Sequence, residues 1–108
     1  MSTMSAQRLV SADVHAQVLD PDGVSEALAT ASAALVVTQV EVGLWEAGPG
    51  ADTDVEADEV FLVLTGAGTI TFDDGSAIDL HPGVLVRLHE GDRTTWEISE
   101  RLRKLYLA

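Results

Sequence analysis

The residues best suited to chemistry lie in DTDVEADE, where five carboxylates, Asp52, Asp54, Glu56, Asp58 and Glu59, precede the apolar run VFLVLTG. Such a cluster either gathers a hard cation or forms a solvated approach to the strand, where dense charge discourages edge-to-edge pairing. A calcium loop is excluded by spacing: Ala57 stands where it needs glycine and Val63 where it needs a bidentate glutamate. No cysteine is present to supply a thiolate, and His15, His81 and His89 follow no metal-binding spacing. His81 and His89 bracket GVLVRL in turns and read as surface residues. No serine sits in a nucleophile elbow, so no catalytic residue is assigned. The plainest reading of Asp52 to Asp58 is a solvated loop.

Glu59 differs from its neighbours. Strand alternation sets it on one face with Phe61 and Val63, while Val60, Leu62 and Leu64 share the other. An inward carboxylate needs a partner, because an unpaired buried charge is costly. The basic candidates cluster late in the chain. Alternation puts Lys104 and Tyr106 on one face and Arg103, Leu105 and Leu107 on the other, and either face suits the interior. With Leu105 and Leu107 inside, Lys104 lies in water. With Lys104 and Tyr106 inside, they line a pocket with Glu59 able to hold a small zwitterion or an amide. Arg87 poses the same question, since its strand's other face carries Val84, Val86 and Leu88. Trp96 shares parity with Thr94, and Trp45 is the only other tryptophan; large aromatics pack cores more often than they bind ligands.

The elements that must position these groups read as strands. From Val36 onward, short β-branched runs are cut by turn residues at close intervals: VVTQVEVGLWE, EVFLVLTG, GTITF, SAIDL, GVLVRL, TTWEIS and LRKLYLA. Asp73-Asp74-Gly75 marks a hairpin and Pro82-Gly83 another reversal. Before Val36 the pattern is weaker. SEALATASAAL has the composition of a short helix but a poor apolar stripe, leaving helix or loop open. Asp20 to Gly23 reads as a turn, and Arg8 to Leu19 as a possible edge strand. A chain of 108 residues is sized for one domain, divided into an N-terminal strand or arm and loop over 1–35 and a barrel over 36–108. Its formal charge of −12 argues against a nucleic-acid partner, and no apolar run is long enough for a membrane span. MSTMSAQRLVSADVHAQ lacks the pattern of a secretory signal, which makes the cytoplasm the expected location.

Spacing carries a resemblance. Glu59 is followed by six residues and Gly66, and Gly83 by five residues and His89-Glu90-Gly91, then Thr94. This resembles the two cupin motifs, with the first motif's histidines falling on Asp52 and Asp54, its glutamate on Glu59 and its glycine on Gly66. The second motif's proline falls on His89, its histidine on Thr94 and its asparagine on Ile98. GLWEAGPG, DEVFLVLTG and GDRTTWEI through LRKLYLA are similar to the ureidoglycine aminohydrolase-like, or ethanolamine-utilisation-type, cupins. The resemblance implies an all-β, single-domain jelly-roll barrel, also described as a double-stranded β-helix. It implies an inward Glu59 and a homodimer. A metal-binding cupin uses three histidines and a glutamate, and only the glutamate remains here, so no cofactor is expected. Were a divalent metal bound, Asp52, Asp54 and Glu59 would supply its oxygens. The leading expectation is a metal-free binder of a small polar metabolite, contacted by Glu59, Phe61, Thr94 and Trp96, with Trp45, Arg87, Lys104 and Tyr106 as further pocket candidates. The alternatives are an aminohydrolase-like enzyme acting on a C–N bond of a small nitrogen metabolite, and a dimeric accessory module.

Overall fold

The computed structural model describes residues 8–108; the part of the N-terminal reading that falls on Met1 to Gln7 lies outside the described residues. Eight strands follow in chain order: β1 (Asp20–Pro21), β2 (Ala31–Val37), β3 (Glu41–Ala47), β4 (Gly50–Val55), β5 (Glu59–Phe72), β6 (Ala77–Leu80), β7 (Leu85–Leu88) and β8 (Arg93–Leu107). The fold is all-β and every pairing is antiparallel. Among the described residues there is no helix, and so none long and apolar enough to cross a membrane.

Two long strands form the spine. β5 and β8 pair along most of their length, from Val60 opposite Leu107 to Phe72 opposite Thr94. On its other edge β8 takes β3 along its C-terminal half and β4 along its N-terminal half. β5 likewise takes β7 at its start and β6 at its end. The spine changes register between Val63 and Gly68. Gly66, at φ 94°, permits that irregularity, since a Cβ there would overlap the backbone of Arg101 and Leu102. The sheet thereby rolls around one core, built from Phe61, Val63, Ile70, Leu80, Val86, Leu88, Trp96, Ile98 and Leu102, with Leu28 and Ala47 closing it.

Several segments depart from the sequence-based expectation. EVFLVLTG and GTITF join into β5, and TTWEIS and LRKLYLA into β8, because each irregular middle keeps its partner strand. Asp52 to Val55 belong to β4, paired with Arg93 to Trp96, so the solvated loop shrinks to Glu56, Ala57 and Asp58. SEALATASAAL splits into a turn over Glu26 to Ala29 and the start of β2. Leu28, 3% exposed, plugs the core there, and its carbonyl accepts the Gly48 N–H at 2.5 Å, contacts a helix would forgo. β2 opens at Ala31, upstream of residue 36, and pairs with β3. Asp20–Pro21 is a short strand rather than the first half of a turn, and Arg8 to Leu19 form no strand. Instead the Arg103 guanidinium pins that arm to the barrel wall, donating to the Val14 and Gln17 carbonyls at 2.8 Å.

Candidate functional site

β8 presents Thr94, Trp96, Ile98, Leu102, Lys104 and Tyr106 to the interior, an alternation interrupted at Glu100, which is exposed where the spine changes register. Register supplies their neighbours. Lys104 lies between Trp45 of β3 and Val63 of β5, and Tyr106 between Gly43 and Phe61. Lys104 is therefore the inward residue, and Leu105 and Leu107 take the outer face. Lys104 is 5% exposed, and its ammonium donates to Glu59 Oε2 at 2.6 Å. Three aromatic rings surround it, with centroids 4.4 Å (Phe61), 4.7 Å (Trp45) and 5.1 Å (Trp96) from Nζ. A desolvated cation so placed is held by the negative faces of the rings as well as by its carboxylate.

Above this pair opens a cavity of about 440 Å³, within the range of about 300–1,000 Å³ usual for small-molecule sites. Trp45, Trp96, Glu59, Lys104 and Tyr106 line it, as do Asp52 and Asp54. One flank is the loop that follows β1. There Ser25 Oγ donates to Asp52 Oδ2 at 2.6 Å and Thr30 Oγ1 to Asp22 Oδ1 at 2.6 Å. The Ser25 hydroxyl and the Thr53 N–H hold the Asp52 carboxyl below its ordinary range.

Two further carboxylates matter, and the sequence did not distinguish either. Glu56, fixed through its backbone to the Gly91-Asp92 turn, accepts from Thr94 Oγ1 at 2.6 Å and Trp96 Nε1 at 2.9 Å through one oxygen, Oε2. Nothing in its spacing separates it from four acidic neighbours. Glu41 accepts from the Tyr106 hydroxyl. Its parity with Trp45 along β3 was the available signal. Burial, followed by the Glu41 carboxylate, raises the Tyr106 phenol well above its ordinary value. Gly43 makes the Tyr106 position accessible, because a Cβ there would overlap the phenol and the Ala33 carbonyl.

The remaining candidates fall elsewhere. Arg87 is a correction: Val86 and Leu88 take the inner face of β7, which leaves Arg87 exposed, opposite Val60. Phe61 is fully buried beneath Lys104 and Thr94 is 4% exposed, so both support cavity walls without lining them. His15, His81 and His89 are exposed.

A cupin metal does not fit these residues. Asp52 spends both oxygens on Ser25 and Thr53, the Thr94 hydroxyl is committed to Glu56, and Glu59 faces an ammonium. Among the described residues no three His, Asp or Glu side chains come together in a way that would hold an ion.

A rolled antiparallel sheet with its site inside the roll, facing residues at the motif positions, defines a cupin, and solved structures agree. EutQ from Salmonella typhimurium, described as a putative ethanolamine utilization protein, matches with TM-score 0.77 at 17% identity, over 89% of this chain and 81% of its own. Clostridium difficile EutQ matches with TM-score 0.64 at 18% identity, over 72% and 65%. Ectoine synthase from P. lautus matches with TM-score 0.67 at 15% identity, over 78% and 65%. A family profile for the EutQ-like cupin domain matches residues 37–106, and the chain belongs to that family. No curated protein matches the sequence.

Proposed function

We propose that this chain is a small-molecule-binding cupin that works without a resident transition metal, its cavity organised by a fixed ammonium. The observation that carries the reading is the Lys104–Glu59 pair. Glu59 stands at the motif position of the metal-binding glutamate, and a side-chain cation 2.6 Å away occupies the role an ion would have. The pair and the Thr94–Glu56–Trp96 hydrogen bonds fix the polar groups of a cavity large enough for a small metabolite. The aminohydrolase-like alternative calls for a metal whose donors do not converge here, so ligand binding without an assigned reaction is the better-supported reading.

Metal analysis tests it. Protein purified from metal-replete medium without chelators is expected to carry well under one equivalent of Mn, Fe, Ni or Zn by mass spectrometry. Stoichiometric metal, lost on Asp52→Ala or Glu59→Ala, would overturn the proposal.

A further inference from the structure

The cavity carries a second message, in the way its carboxylates are held. Glu41, Glu56 and Glu59 each spend Oε2 on a protein donor, respectively Tyr106, Thr94 with Trp96, and Lys104. Each leaves Oε1 without a hydrogen-bond partner among the described residues. A carboxylate oxygen held in place and left free is a pre-oriented acceptor. Asp22, Asp52 and Asp54 add to them, so six carboxylates line the cavity against the single ammonium of Lys104. The balance inside the cavity is thus strongly negative. An anionic ligand would be repelled, and a neutral one would donate to the free acceptors without offsetting their charge, which a cation does.

The spacing of the acceptors decides between kinds of cation. A point ion needs several oxygens on one spot, and no such convergence exists among the described residues. Acceptors distributed around a cavity suit a cation that carries several N–H donors and spreads them over its length. The wall matches, since Trp45 is half-buried with Trp96 beside it, ring centroids 5.4 Å apart, and indole faces favour organic cations.

We infer that the cavity selects a small organic cation of the ammonium or guanidinium type, taken up by the free oxygens of Glu41, Glu56 and Glu59 against the indole wall. This rests on the reading of the cavity as a ligand site and adds the chemical class of the ligand. Both tryptophans of the chain line the cavity, so intrinsic fluorescence reports on that site directly.

The test titrates the whole chain at neutral pH and 0.15 M salt with agmatine, with 1,4-butanediol and with succinate, following tryptophan emission. Agmatine is expected to give a saturable change and the other two none. Glu41→Gln and Glu56→Gln should each weaken agmatine about ten-fold, the difference between a charge-assisted and a neutral hydrogen bond. Glu97→Gln, at an exposed position outside the cavity, should leave it unchanged. A response to succinate or butanediol without one to agmatine would refute the cationic class while leaving the cavity a binding site. Silence with all three probes would refute the cavity reading itself. Equal weakening by Glu97→Gln would reduce the effect to diffuse attraction by the chain's net charge, and displacement of agmatine by stoichiometric MnCl2 would make this an ion site; either result overturns the inference.

Discussion

Replacing Glu59 with glutamine removes the charge of one partner from the Lys104 pair and keeps its shape. Lys104 has a side chain 7% exposed and Glu59 one 21% exposed, at 2.6 Å. Breaking a buried ion pair from one side costs about 3–5 kcal/mol, since the surviving charge stays desolvated. Two features place this case at the lower end. Water reaches part of Glu59, and three aromatic faces continue to stabilise the ammonium, an effect of about 0.5–2 kcal/mol. The expected loss is about 3 kcal/mol. In a domain of this size that lowers the melting temperature by about 12 °C or more. Urea unfolding at pH 7 measures it, with Asp54→Asn and Asp58→Asn as controls. Their carboxylates accept single backbone N–H groups of Val55 and Glu90 at exposed sites, and each variant should change stability by no more than about 0.5 kcal/mol. Adding Lys104→Met to Glu59→Gln should recover most of the loss, because an apolar side chain leaves no charge to bury. If Glu59→Gln behaves like the controls, or the double variant is no more stable than the single one, the account of the pair is wrong.

Glu46 carries a pH dependence. Burial raises its carboxyl, but the Arg103 and Arg101 guanidiniums bonded to it outweigh that and hold it below its ordinary 4.5. A depressed folded-state value means stability that is present in full above about pH 4.5 and lost as the pH falls below it, through the lower folded-state value. The gap in urea midpoint between the native protein and Glu46→Gln should therefore narrow as the pH falls below about 4.5, and a constant gap would contradict the pairing. Gly43→Ala should destabilise the fold by about 1–3 kcal/mol through overlap with Tyr106, and an unchanged melting curve would show that the phenol does not cross that position. Association is expected through the outer sheet face, where Leu105, Leu62 and Leu85 stand opposite one another across three strands and Leu85 is 68% exposed. Light scattering should give the mass of a homodimer, and a monomer mass at micromolar concentration would remove this claim.

The sequence by itself determined the kind of fold and one end of the site. Alternation of β-branched residues, turn signals at Asp73-Asp74-Gly75 and the Glu59-to-Gly66 spacing are local features, and local features survive without knowledge of partners. Parity groups Glu59 with Phe61 and Val63, and the cupin resemblance turns that face inward. Within LRKLYLA by itself the side of Lys104 is open, since Leu105 and Leu107 suit the interior as well as Lys104 and Tyr106 do. As one strand, β8 returns after the exposed Glu100 to the parity of Thr94 and Trp96, which sets Lys104 and Tyr106 inward. What tertiary structure decided is everything set by register between strands distant in sequence. Only pairing of β8 with both β3 and β5 gives Lys104 a carboxylate and three rings, enough to bury a cation in preference to apolar Leu105 and Leu107. Only the turn at Gly91-Asp92 separates Glu56 from its acidic neighbours, by fixing its backbone where the side chain meets Thr94 and Trp96. Burial of a charge is affordable solely where its partners converge, and convergence is a property of the folded chain.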